Sequence, residues 1–179
     1  MAEVFIGIPT FRRPDLVREA IASLREQSFS DWRCIVADNP SDANTGCQVR
    51  EYVESLGDPR ITFVQHETNA GEYGQGRFFF SSVEDESFFM IFHDDDILNP
   101  SYLEKAINAL SEHAEASLFV ANPAALTMDG LPSEEFKRWY LKSHGRLRAK
   151  KGFVDILCSL FESGFVPISG TVFRVSDLL

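Results

Sequence analysis

The polarity pattern divides the chain into short apolar runs separated by amphipathic stretches. Val4–Ile8 is apolar throughout and predicts a strand. Pro14 stands where a helix can begin, because the N–H it lacks has no partner in a first turn. Leu16, Val17, Ala20, Ile21 and Leu24 follow at helical spacing. Trp32–Ala37 predicts a second strand. Val49, Tyr52, Val53 and Leu56 form the next helical stripe with Gly57 as its stop, and Ile61–Val64 predicts a third strand. The glycine-rich stretch from Asn69 to Gly76 predicts a loop, followed by a helix around Arg77–Val83. Ser87–Phe92 predicts a fourth strand. Asn99 then predicts a helix cap with Pro100 at the first position and Tyr102, Leu103, Ala106, Ile107 and Leu110 facing inward, and Leu118–Ala121 predicts a fifth strand.

Strands alternating with helices imply an α/β fold with a mostly parallel central sheet flanked by helices. The apolar runs are continuous rather than alternating, as in strands covered on both faces. The pattern changes near residue 122, so residues 1–122 read as one α/β part and 123–179 as the start of a second region within a single structural domain. In that second region Asp129-Gly130 signals a turn, and Phe136, Trp139 and Tyr140 share a face of a short helix. A further helix is expected at Phe153–Phe161 with Gly164 as its stop, an extended segment at Phe165–Phe173, and a helix start at Ser176-Asp177-Leu178-Leu179.

Composition narrows the class. With 179 residues, 44% hydrophobic and 25% charged, the chain folds rather than staying disordered, and its 16 phenylalanines can fill a large core. A net charge of −10 argues against a nucleic-acid partner, which normally meets a basic face. The longest purely apolar run, Phe88–Phe92, is far short of the ~20 residues that span a bilayer, so no transmembrane segment is expected. No charged leader region precedes Val4, so a signal peptide is not expected and a cytoplasmic location is. The three cysteines, Cys34, Cys47 and Cys158, include no Cys-x-x-Cys pair and read as reduced thiols, with Cys34 and Cys158 filling core. Residues 137–151 carry Lys137, Arg138, Lys142, Arg146, Arg148, Lys150 and Lys151 and no acid. That stretch reads either as a solvated loop or as a peripheral contact to anionic lipid or a lipid-linked acceptor.

The chemistry concentrates at strand ends. His93-Asp94-Asp95-Asp96 follows the fourth strand directly, and open α/β sheets bind ligands outside the carboxyl ends of their strands. Adjacent carboxylates repel each other, and a divalent cation removes that penalty. Oxygen ligands suit Mg2+ or Mn2+. Capping is a weaker account of the aspartates, since Asn99 already serves the next helix. His93 is open to three roles: a metal ligand, a phosphate contact, or the residue closing the strand. Asp38 ends the second strand in the same way and reads either as ordinary turn chemistry in Asp38-Asn39-Pro40-Ser41-Asp42 or as an acceptor for a nucleobase N–H. Pro9-Thr10-Phe11-Arg12-Arg13 follows the first strand. No Gly-x-Gly-x-x-Gly or P-loop pattern occurs, which removes support for a dinucleotide fold or a P-loop enzyme. Arg12 and Arg13 lie at a helix start and read either as phosphate contacts or as solvated charges; a cation there is electrostatically unfavourable, which tilts the reading slightly toward phosphate.

Taken in order, four motifs resemble those of family 2 glycosyltransferases with a GT-A fold: Ile8-Pro9-Thr10-Phe11-Arg12-Arg13, Val36-Ala37-Asp38-Asn39-Pro40-Ser41-Asp42, Asn69-Ala70-Gly71 with Gly74 downstream, and Phe92-His93-Asp94-Asp95-Asp96-Ile97-Leu98-Asn99-Pro100. Ser169-Gly170-Thr171-Val172-Phe173-Arg174 is similar to the family's acceptor-side strand. The resemblance implies transfer of a sugar, with inversion and with Mn2+ or Mg2+, from a nucleotide-diphospho-sugar, most often a UDP-sugar, to a saccharide or lipid-linked acceptor hydroxyl. It implies donor-binding roles for Pro9, Thr10, Arg12, Asp38, Asn69, Gly71, Arg77, His93 and Asp94, with Asp38 accepting from the uracil ring N–H. It implies metal ligation by Asp95, Asp94 and Asp96, Asp95 being the direct ligand. This chain departs from the family pattern at His93, where the first Asp of Asp-x-Asp is usual, at Arg77, where Asn is frequent, and at Pro40, where Gly is common. Family members usually carry the general base well beyond the Ser-Gly strand. The catalytic base is therefore expected past Leu179, and the chain reads as truncated. A non-catalytic nucleotide-sugar binding module or an inactive donor-binding fragment is the alternative. A sugar-phosphate nucleotidyltransferase is disfavoured because Pro9-Thr10-Phe11 stands where a glycine-rich basic loop is expected.

Overall fold

The computed structural model describes residues 3–40, 43–121, 124–125, 133–136, 138 and 168–178. The Asp129-Gly130 turn, Trp139 and Tyr140, most of the basic stretch, the 153–161 helix with Cys158, Gly164, and the first part of the Phe165–Phe173 segment lie outside the described residues.

Strands β1 (Val4–Thr10), β2 (Trp32–Asp38), β3 (Ile61–Gln65) and β4 (Phe88–Ile91) run parallel, and β6 (Val172–Arg174) is antiparallel to both β4 and β5 (Leu118–Phe119). Together they form one six-stranded sheet in the order β3-β2-β1-β4-β6-β5. The connecting helices are α1 (Pro14–Arg25), α2 (Ala43–Leu56), α3 (Gly71–Ser81) and α4 (Tyr102–Glu112). The expected α/β architecture is therefore present, with an antiparallel β6 inserted near one edge.

Residue alternation along β1 assigns the two sheet faces. Val4, Ile6 and Ile8 share a cluster with Val17, Ala20, Ile21 and Leu24 of α1, Val49 and Val53 of α2, and Leu103, Ala106, Ile107 and Leu110 of α4. Phe5 lies in the other cluster, with Ala37, Phe79 of α3 and Phe89. On this face Gly7 makes a close approach possible. A Cβ there would come within 2.4 Å of the Phe79 ring, so only glycine lets α3 seat directly on β1.

From Gly71 on, the loop expected at Asn69–Gly76 is instead the first half of α3. Glycine disfavours a helix by about 1 kcal/mol relative to alanine, which is why the local sequence reads as loop. Burial of Gln75 and Phe79 on one side of the helix overrides that preference. The start of α4 also differs: the helix begins at Tyr102 rather than Pro100. Asn99 makes a turn of its own, its side-chain oxygen accepting from the Ser101 N–H (3.2 Å) and hydroxyl (3.0 Å). The segment between β4 and α4 is fastened to α1. Ser23 Oγ accepts from the Leu98 N–H (3.1 Å), and the Gln27 amide donates to the Asn99 carbonyl (2.8 Å) while accepting from the Leu103 N–H (3.0 Å). At the far end, Val175–Asp177 forms a short 3-10 turn.

Candidate active site at the carboxyl edge of the sheet

The strand order creates the site. The chain steps outward from β1 through β2 to β3, then returns to place β4 on the other side of β1. Where the order reverses, the loops after β1 and β4 diverge and leave a crevice at the carboxyl edge. A cleft of about 1090 Å³ opens there and continues down the sheet face beside α3. Pro9, Thr10, Asn69, Gly71, Arg77, His93, Asp94 and Asp95 line it, bringing together eight of the residues singled out in the sequence.

The β1 side is shaped by an unusual backbone. Arg12 has a φ of 59°, a conformation that costs a residue with a side chain free energy and persists mainly at functional sites. Its guanidinium lies 5.0 Å from the centre of the Phe11 ring, and Arg12 is not part of the cleft wall. Arg13 takes the place expected for Arg12. Its Nη1 lies 2.7 Å from Asp95 Oδ2 and 3.4 Å from Asp94 Oδ1. A cation at a helix start was the sequence signal for this pair.

The acidic run is split in two. Asp94 turns inward and is 6% exposed. Burial raises its carboxyl above the ordinary carboxylate range, partly offset by the Thr10 hydroxyl, the Arg13 guanidinium and the Phe11 N–H. The Thr10 hydroxyl stands close enough to favour the charged form but completes no hydrogen bond of ordinary geometry. Outside this inner contact, His93, Asp95 and Asp96 each present a ligand atom, all within 4.8 Å of one another. The group that could hold a cation thus includes His93 and omits Asp94, unlike the expected Asp94, Asp95 and Asp96. Two carboxylates and an imidazole suit a divalent cation.

The raised Asp94 carboxyl has a consequence for stability. Protonation of this group favours the folded state. The penalty is therefore present at pH values above its raised pKa and is relieved as pH falls through that value toward the ordinary ~3.9. In metal-free buffer, Asp94→Asn is expected to unfold at a higher temperature than the parent at pH 7, with the difference closing toward pH 4. Thermal unfolding across that range checks it; a lower unfolding temperature for the variant at pH 7 contradicts the assignment.

Asp38 ends β2 beside Thr10, its partner in the strand register, and is 1% exposed. Gln65 Nε2 donates to its Oδ2 (3.1 Å), and Asp38 is not part of the cleft wall. A carboxylate has about four acceptor sites, so a base N–H could be accepted here alongside the Gln65 amide. Asn39, not singled out in the sequence, ties the strand ends together: its N–H donates to the Thr10 carbonyl (3.0 Å) and its side-chain oxygen accepts from the Ala70 N–H (3.0 Å). Asn69 in turn accepts from the Gly71 N–H (2.9 Å), shaping the entry to α3. Gln75, on the buried side of α3, also lines the cleft. It is 3% exposed, and its Oε1 has no partner, as expected of a site built to meet a polar ligand. Reading residues 69–76 as a loop concealed it.

Comparisons with known proteins agree with this geometry. The profile of Glycosyl transferase family 2 matches residues 5–164. The GalNAc(5)-diNAcBac-PP-undecaprenol beta-1,3-glucosyltransferase of Campylobacter jejuni is 27% identical over 170 residues, which are 94% of this chain and 52% of that protein. The chain spans no more than 52% of the length of the curated relatives it matches. Among solved structures, S. aureus TarS 1–349 in complex with UDP-GlcNAc has a TM-score of 0.72 at 17% identity, covering 98% of this chain and 46% of TarS. The mannosyltransferase PcManGT from Pyrobaculum calidifontis, in complex with GDP-Man and Mn2+, has a TM-score of 0.60 at 19% identity, covering 67% of this chain and 35% of that one. At such identities these structures speak for the fold, which is of GT-A type. The profile match over most of the chain goes further: this chain belongs to glycosyl transferase family 2.

Proposed function

We propose that the chain binds a nucleotide-diphospho-sugar, with uridine as its base, and transfers the sugar with inversion to an acceptor hydroxyl in a metal-dependent reaction. The convergence of His93, Asp95 and Asp96 with Arg13 at the β1/β4 crevice carries this reading. Residues 1–122 form the donor-binding part, and residues 123–179 begin the acceptor side.

A divalent cation, when bound, neutralises charge developing on the leaving diphosphate. The chain's own groups do the rest. Arg13 pairs with Asp95 of that group and with Asp94 behind it, and supplies a second positive charge at the crevice. Thr10 lines the cleft on the ribose side, and Asp38, its partner in the strand register behind that wall, is the acceptor assigned to the base N–H. Gly71 and Arg77 of α3 border the donor from the opposite wall. In the transfer, the acceptor oxygen bonds to the anomeric carbon from one face as the bond to the diphosphate oxygen breaks on the other. A general base takes the hydroxyl proton. The undecaprenol-linked glycan in the name of the Campylobacter relative supports a lipid-linked saccharide as the acceptor class. No helix among the described residues is long and apolar enough to cross a membrane.

Calorimetric titration of UDP and GDP, each with and without Mn2+, tests the donor assignment. UDP is expected to bind more tightly than GDP, and Mn2+ to tighten UDP by at least about tenfold, or ~1.4 kcal/mol. Preference for GDP overturns the uridine assignment alone. Failure of both nucleotides overturns the donor site. A non-catalytic binding module is distinguished by turnover: release of UDP from a UDP-sugar that depends on an acceptor excludes it.

A further inference from the structure

Ser169 lies 76 residues from His93 and 73 from Asp96 in sequence, yet its side chain joins the two. Its Oγ accepts from the His93 N–H at 3.0 Å and donates to Asp96 Oδ2. A serine hydroxyl has one proton and two lone pairs, so it can make both contacts at once. The Asp96 side chain is otherwise exposed, with several rotamers open to it. The Ser169 contact fixes Oδ2 and leaves Oδ1 available to a cation. It also fixes the backbone from which the His93 imidazole departs.

The segment carrying Ser169 is held by bonds that do not involve its hydroxyl. The Gly170 N–H donates to the Ile91 carbonyl (2.9 Å), at an isolated bridge between Ile91 and Ser169. The Tyr102 hydroxyl donates to the Gly170 carbonyl. Gly170 has a φ of 75°, which turns the chain into β6. Beyond that turn, β6 pairs with β4, the strand that ends at the acidic run.

We propose that Ser169 is a positioning residue for the cation site, through which the β6 segment sets the geometry of His93 and Asp96. This rests on the reading of His93, Asp95 and Asp96 as metal ligands. Ser169 does not touch the ion; it restricts two groups that do. The strand expected on the acceptor side thereby acts on the donor side: a displacement of β6 moves the hydroxyl and loosens the cation.

Free Mn2+ measured by its paramagnetic resonance signal, in the absence of nucleotide, reads the effect directly. Ser169→Ala is expected to weaken Mn2+ binding by about 10–100-fold, the range found when partners of metal ligands are removed. Ser169→Thr keeps the hydroxyl and is expected to restore affinity to within about threefold of the parent. Because the Gly170 and Tyr102 bonds remain, the metal-free unfolding temperature of Ser169→Ala should match that of the parent. Unchanged Mn2+ affinity in Ser169→Ala, while Asp96→Asn loses it, overturns the positioning role and leaves the metal site standing. Weakened binding that threonine does not restore, accompanied by a lower unfolding temperature, also overturns it in favour of a purely structural role. Absence of Mn2+ binding in the parent overturns the metal site and the positioning role together.

Discussion

Asp95→Ala is expected to abolish the cation-dependent part of UDP binding, a loss equal to the whole Mn2+ enhancement of at least about tenfold, because removing even an outer partner of a metal ligand lowers metal affinity by about 10–100-fold. The Asp95 side chain is 45% exposed, so its removal leaves no cavity in the core. Its carboxylate does two things at the crevice. It is one of only two carboxylates in the group with His93, and it holds Arg13 Nη1 at 2.7 Å. Without it a cation retains one carboxylate and an imidazole of the chain, half the carboxylate charge that the group offers it. Arg13 is then left against the inward-turned Asp94 alone, 3.4 Å away. Titration of UDP into the variant, with and without Mn2+, should give the same weak affinity in both cases. The unfolding temperature should stay near that of the parent, because an exposed ion pair contributes only about 0–1 kcal/mol. An affinity for UDP still tightened by Mn2+ to the parental level would falsify ligation by Asp95.

A side chain at Gly7 should have the largest effect on folding. The β1 backbone there lies directly under the Phe79 ring, and an added Cβ would stand 2.4, 2.5 and 2.8 Å from three of its carbons. Both elements are fixed. β1 is hydrogen-bonded on both sides, to β2 and β4, and Phe79 is fully buried. Overpacking of this kind costs about 1–3 kcal/mol for Gly7→Ala, and more for Gly7→Val. Because α3 carries Gly71, Gln75 and Arg77 at the cleft, lifting it from the sheet should weaken UDP binding along with stability. Phe79→Leu alone leaves a void and destabilises, but in the double variant it relieves the collision. The two substitutions should then cost less together than the sum of their separate costs, by about 0.5–3 kcal/mol in a double-mutant cycle. Chemical denaturation of the four proteins checks this; strict additivity rejects the contact as the reason for glycine at this position.

Much of the donor half was legible in the sequence because its signals are local. A run such as Val4–Ile8 is apolar whichever residues finally cover it, and the order of strands and helices through α4 follows from periodicity alone. The placement of Thr10, Asp38 and His93–Asp96 at strand ends was legible for the same reason: parallel strands bring successive carboxyl ends to one edge. Motif order indicated the family, which the profile match over residues 5–164 shows.

Tertiary structure decided the rest, wherever a local preference met a stronger distant contact. Glycines that locally favour a loop between Asn69 and Gly76 lie in α3, because Gln75 and Phe79 are buried there. Neighbours in sequence do not share an environment: Asp94 turns toward Thr10 and Phe11, while Asp95 and Asp96 turn outward with His93. Arg13, rather than Arg12, reaches the carboxylates, because a backbone with φ of 59° at Arg12 sends its own guanidinium to the Phe11 ring. Ser169 had no sequence signal linking it to His93 and Asp96, since a hydrogen bond across more than 70 residues exists only after β6 has paired with β4. The sequence by itself determined the order of the strands and helices through α4 and which edge of the sheet carries the chemistry, because apolar runs and the β-α-β alternation are local patterns. Only the folded chain decided which of the clustered side chains meet, because that depends on side-chain direction and on partners brought from the far end of the sequence.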